Sequence, residues 1–155
     1  MSVHILKDTE SRGLQALSDR LKRLNKRILV GVPAGKVEPD GTSTALVAAV
    51  VEFGTADGKI PERPFLRNGL RHSYPAITRY NAPALRAVAE GTLSAEVALA
   101  TTGELAVAGV KKEMVSGEFV PNAESTIKKK GSDRPTIDTA QLRQSITYVV
   151  EEGAL

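Results

Sequence analysis

Four leucines, Leu14, Leu17, Leu21 and Leu24, recur at intervals of three and four, with Arg12, Asp19, Arg20, Lys22, Arg23 and Lys26 between them. That period predicts a helix from Thr9 onward with its leucine stripe turned inward. The basic residues gather at its C-terminal end, where they suit the negative pole of the helix dipole. Val3 to Leu6 reads as a short edge strand or arm ahead of it. Arg27 to Pro33, RILVGVP, changes to a continuous β-branched and apolar run closed by proline, which predicts a strand. Ala34 to Gly41, AGKVEPDG, is a loop by composition; its one Gly-Lys pair lacks the spacing of a phosphate-binding loop.

The next stretch, Ala45 to Arg67, is the one around which the chain is organised. Ala45 to Val51 is apolar almost all round, so this helix is expected to be buried or pressed against a neighbour. Thr42, Ser43 and Thr44 offer hydroxyls to cap it. Gly54 ends it in a conformation that other residues adopt only at a cost. Glu52 sits at the wrong end of the helix dipole, which points either to a partner in Arg63 or Arg67 or to an exposed glutamate carrying a small penalty. Phe53 is expected in the core. Pro61 and Pro64 hold the chain extended before a second helical region opens at Arg63, with Pro64 suited to its first turn.

Phe65, Leu66, Leu70, Tyr74, Ile77, Tyr80, Leu85 and Val88 carry the helical rhythm to Gly91; Pro75 and Pro83 either kink this helix or restart it. Thr92 to Val115 is a third helical stretch, capped by Ser94. Its Gly103 and Gly109 each cost about 1 kcal/mol against alanine, but permit close approach of another helix or subunit. Ser116 to Pro135 is a long loop carrying the charge cluster STIKKKGSDR. Asp138 or Thr139 caps a short turn with Leu142 inward, and Ser145 to Glu151 is a strand able to pair with Arg27 to Pro33. The whole predicts one α+β domain over residues 1–155: a small antiparallel sheet with three to four helices packed on it and a long basic loop.

EFGT followed by PERPFLR, and later KKKGSDRPTIDTAQLRQSITY from Lys128 to Tyr148, resemble the two signatures of the tail-completion and neck proteins of long-tailed bacteriophages. The two strings occur in that family's order and span about two thirds of the chain. The prolines at 75 and 83 depart from its pattern, in which the intervening helix runs less broken. The resemblance implies a structural virion protein that completes the tail end or neck and helps join tail to head. It implies a homo-oligomeric ring, six copies by the symmetry of the tail, assembled in the host cytoplasm. It also implies contacts with a tail terminator or tail tube protein on one side and head connector or neck proteins on the other. Within the same class the chain is alternatively a terminator that stops tube growth, and in a different class a basic DNA-channel protein that holds the genome end.

Composition changes this picture only at its edges. Three Phe, three Tyr and no Trp leave few large anchors for a core, so either the core is modest or part of the burial occurs between chains. A net charge of +3 does not by itself argue for nucleic acid. The chain has no cysteine, which rules out disulfides and thiolate metal sites, and no stretch approaches the ~20 apolar residues of a membrane span. The N-terminus has no signal-peptide pattern. Its two histidines, His4 and His72, lack carboxylates at ligand spacing, and no nucleophile motif is present, so the expectation is no enzyme, no metal and no cofactor.

The candidate partner-binding residues are therefore Glu52, Phe53, Gly54 and Thr55; Arg63, Pro64, Phe65 and Arg67; Lys128, Lys129, Lys130 and Arg134; and Ile137, Asp138, Thr139 and Arg143. Phe53, Pro64 and Phe65 serve equally well as determinants of the fold. The basic loop has three readings: a contact with DNA passing through a lumen, a charge partner for an adjoining ring, or a solvated loop. No aromatic side chain lies among its lysines, so stacking on single strands has no support.

Overall fold

Seven elements follow one another in a computed structural model that describes residues 2–38, 40–121 and 140–153. They are α1 (Ser2–Lys22), β1 (Lys26–Gly31), α2 (Thr44–Phe53), α3 (Phe65–Glu90), α4 (Ala95–Ser116), α5 (Ala140–Ser145) and β2 (Thr147–Glu152). The fold is α+β with a small antiparallel sheet, as the sequence predicts. The described residues form five helices instead of three or four, because α1, the α2–α3 pair, α4 and the turn after residue 139 are all separate.

The two strands come from opposite ends of the chain and pair with Lys26 opposite Glu152 and Gly31 opposite Thr147. Alternation divides them into two faces. Val30 and Tyr148 pack against the main core, while Leu29 and Val149, directly opposite each other, lie half-exposed on the other face. Arg27 and Glu151 form an ion pair at 3.5 Å beside them.

The longest packing contact is the antiparallel pair α3–α4. Helix α3 runs unbroken through Pro75 and Pro83, so these prolines do not restart it. Both are exposed, and the carbonyls they fail to serve, at Arg71 and Arg79, lie on the solvent side where water replaces the lost bond. Gly91 closes α3 in the left-handed region, and Ser94 caps α4 by accepting a bond from the Val97 amide at 3.2 Å. The two helices approach closely where glycine permits it. The space a Gly69 side chain would need is occupied by the backbone of Val110, and that of Gly109 by Ser73 and the Gly69 carbonyl. Gly103 makes room for the Tyr148 ring, so the small residues of α4 admit both a helix and a strand.

Two apolar clusters result. Ala48, Phe65, Val107, Val110, Met114, Leu142 and Ile146 bring α2, α3, α4, α5 and the residue that leads into β2 together. Ala84, Val88, Ala95 and Ala98 hold the far end of the hairpin, with Leu24 packed against them.

Two expectations for the N-terminal part are corrected. Val3 to Leu6 belongs to α1, because among the described residues the sheet consists of β1 and β2 and offers this segment no partner strand, whereas a helix satisfies its own backbone. The leucine stripe is also only partly used: Leu24 packs and Leu17 is half-buried, but Leu14 is 68% exposed and every residue from Ser11 to Ala16 faces solvent. The tether is at the helix end, where Arg20 donates to the Ala89 carbonyl at 3.0 Å beneath Gly91.

Candidate functional site

The corner between α2 and α3 is built around one carboxylate. Helix α3 begins after Pro64, which has neither an N–H nor a side chain able to cap, so the first amides of the helix need an acceptor from elsewhere. Glu52, 2% exposed at the end of α2, supplies it. Its Oε2 accepts from the Leu66 amide at 2.8 Å, and its Oε1 accepts from the Arg67 amide at 3.2 Å and from Arg67 Nε at 2.8 Å. Arg67 Nη2 returns to the Glu52 carbonyl at 3.1 Å. The partner left open between Arg63 and Arg67 is thus Arg67, whose pKa is raised chiefly by its hydrogen bond to Glu52. A charge unfavourable to α2 is favourable to α3, and the same residue joins them.

Arg67 also lies over the Phe53 ring, 5.3 Å from its centroid. Phe53 is 66% exposed, which corrects its expected place in the core. The reason is helical phase. Thr44, Ala48 and Glu52 form the buried face of α2, and Phe53 follows Leu46, Ala49 and Val50 along the other. The burial expected for this helix is met on one side only; Leu46, Ala49 and Phe53 are exposed on the other.

Gly54 makes the turn that follows. Its φ is 71°, and a Cβ there would stand 2.7 Å from the Ile60 carbonyl and 2.9 Å from the Glu62 amide nitrogen. Thr55 then closes a small loop. Its amide donates to the Ile60 carbonyl at 3.0 Å, and its hydroxyl donates to Asp57 at 2.7 Å while accepting from the Ile60 amide at 3.0 Å. The Thr55 hydroxyl, and after it the side chain and amide of Lys59, hold the Asp57 carboxyl below its ordinary pKa. Gly54→Ala is expected to lower stability by about 1–3 kcal/mol, read as a lower midpoint in urea at unchanged slope, because both the backbone angle and the available space oppose a side chain.

Arg63 is buried and anchors a different segment. Its guanidinium donates to the Val120 carbonyl at 2.9 Å and the Pro121 carbonyl at 3.3 Å, fixing the chain after α4, and burial lowers its pKa. Its backbone amide meets the Val51 carbonyl at 2.8 Å. Helix α3 starts at Phe65, not at Arg63, and Pro64 stands just before the first turn. Phe65 is fully buried in the main core. Arg63, Pro64 and Phe65 thus build the corner, while Phe53 and Arg67 face outward from it.

The second predicted string is met only in part. Lys128, Lys129, Lys130, Arg134, Ile137, Asp138 and Thr139 lie outside the described residues. Leu142 is inward, as expected. Arg143 is exposed on α5 and shares a shallow surface cleft with Lys111 and Lys112 of α4, a basic group that the sequence does not reveal because its members are about 30 positions apart.

The sequence also hides a companion for His72. Its Nδ1 lies 2.8 Å from Oε2 of the buried Glu113, across the α3–α4 hairpin, in an open groove of about 750 Å³ lined by Asn68, Leu105, Lys112 and Glu118. Among the described residues, no three His, Cys, Asp or Glu side chains gather where they could hold a metal ion. No described helix is long and apolar enough to cross a membrane. No family model, curated protein or solved structure matches the chain.

Proposed function

We propose that this chain is a structural subunit that assembles into a ring at the tail end or neck of a long-tailed bacteriophage and helps join tail to head. The observation that carries this reading is the two-sided corner. Its inner side is closed by Glu52, Arg63 and Phe65, while its outer side presents Leu46, Ala49 and Phe53 in an apolar stripe with Arg67 on its rim. A rigid element that holds apolar and aromatic side chains in water suits a contact between proteins. The resemblance of the Glu52–Thr55 and Arg63–Arg67 strings to phage neck proteins supplies the setting. Many modest contacts multiplied around a ring would give a firm junction. Tail terminator or tube proteins and head connector proteins are the proposed neighbours.

Electron microscopy of a lysate from the phage with this reading frame interrupted tests the function. Filled heads beside free tails of normal length are expected; normal infectious particles would overturn the reading. For the surface itself, Leu46→Asp and Phe53→Ala should leave the stability of the isolated chain within about 0.5 kcal/mol, since both sites are exposed. The same changes should reduce the assembled fraction in sedimentation. Unchanged assembly in both variants would remove this stripe from the interface.

A further inference from the structure

Among the described residues the sheet has two strands, so each has one partnered and one open edge, and a bond at its end fixes which groups face outward. The Gly153 amide donates to the Asn25 carbonyl at 3.1 Å, continuing the register of the sheet by one step. Alternate residues of an antiparallel pair exchange hydrogen bonds, so Arg27, Leu29 and Gly31 bond to Glu151, Val149 and Thr147 within the chain. The amides and carbonyls of Ile28 and Val30 on β1, and of Tyr148, Val150 and Glu152 on β2, then point away from the pair. Among the described residues, no strand covers either edge.

The charges on these strands are sorted. Strand β1 begins with Lys26 and Arg27, and β2 ends with Glu151 and Glu152. Within the chain the basic end lies against the acidic end, as the Lys26–Glu152 and Arg27–Glu151 pairs. Glu152 remains 84% exposed at its side chain despite its partner, which leaves room for a second cation.

From this we infer that the open edges join copies of this chain head to tail, β1 of one copy pairing antiparallel with β2 of the next in the register the chain uses within itself. That register brings the outward backbone groups together, Ile28 opposite Val150 and Val30 opposite Tyr148. It also repeats both charge pairs. No other arrangement of these two edges does so. An antiparallel β1–β1 contact sets Lys26 against Gly31, an antiparallel β2–β2 contact sets Glu152 against Thr147, and a slip by two residues leaves Lys26 facing Val150. The half-exposed Leu29 and Val149 would alternate along one face of a continuous sheet. A contact between unlike edges is heterologous, so it closes into a ring when the rotation per copy permits and into a filament otherwise. The inference rests on the ring reading above and names its interface.

A chain with all four charges exchanged, Lys26→Glu, Arg27→Glu, Glu151→Lys and Glu152→Lys, tests it. Its internal pairs are restored and its contacts with its own copies are complementary, but either edge meets like charge on the wild type. It is expected to self-assemble as the wild type does, while mixed assemblies, read by energy transfer between two labels, fall about tenfold below random mixing. Free mixing would overturn the edge pairing and leave the ring reading standing. Failure of the wild type to self-associate at any accessible concentration would overturn both. If the exchanged chain does not fold, Leu29→Cys and Val149→Cys, made in separate chains and mixed under oxidation, keep every charge. A covalent dimer between the two variants, in excess over dimers of either alone, is expected; its absence overturns the proposal.

Discussion

Replacing Glu52 by alanine lowers the melting temperature by roughly 10 °C, the expected effect of about 3 kcal/mol in a domain of this size. The carboxylate accepts from two backbone amides at the start of α3 and from Arg67. Without it, the Leu66 and Arg67 amides lose their acceptor in a place where Pro64 offers no substitute. Each unpaired donor costs on the order of 1–3 kcal/mol if water does not reach it. Glu52→Gln should be damaging as well, since its amide nitrogen turns one acceptor into a donor facing another donor. Arg67→Ala should cost much less, because Glu52 keeps both amides and the guanidinium stands largely in solvent. Thermal unfolding followed by circular dichroism ranks the three. An Arg67→Ala loss equal to that of Glu52→Ala would mean that the ion pair, and not the cap, holds the corner.

The second large effect belongs to the α3–α4 crossing. In an open helix, Gly→Ala gains up to about 1 kcal/mol. At Gly69 the sign reverses, because a Cβ would meet the Cα and amide nitrogen of Val110, backbone atoms that move only with the whole helix. Gly69→Ala is expected to cost about 1–3 kcal/mol and Gly69→Val more, lowering the urea midpoint accordingly. Gly109→Ala should destabilise too, since a Cβ there would meet the Ser73 Cβ, which no rotation moves, and the Gly69 carbonyl. Gly13→Ala, with nothing within 4 Å of the added carbon, is the control and should not destabilise. A neutral Gly69→Ala would mean that the two helices slide apart freely.

Much of this architecture was legible because it depends on local pattern. The strand at Arg27, the helix ended by Gly54, the Ser94 cap and the inward Leu142 each follow from a few neighbouring residues. The close approach through Gly109 was legible as a cost that needed a reason. Features missed depend on helical phase or on partners distant in sequence. Phe53 looks like core by composition but lies one residue beyond the buried face that ends at Glu52. The His72–Glu113 contact joins residues on two helices and leaves no spacing to read. The leucine stripe of α1 predicts burial, yet Leu14 stands in solvent and Ser11 to Ala16 are exposed. Of the candidate site, the EFGT–RPFLR half could be located from sequence and its charge pair narrowed to two arginines. Which of its residues build and which face outward required the fold.

The pairing of β1 with β2 also has a consequence for how the protein is made. Strand β1 leaves the ribosome well before its partner β2, which follows four of the helices. At 5–20 residues per second, the roughly 115 residues between them take on the order of ten seconds. During that interval both edges of β1 lack their partner, and adjacent nascent chains on one message offer each other the same sequence. Lys26 and Arg27, which attract the acidic end of β2, would repel a second β1 laid parallel and in register. The charges that select the correct partner in the finished chain therefore also protect the unfinished one.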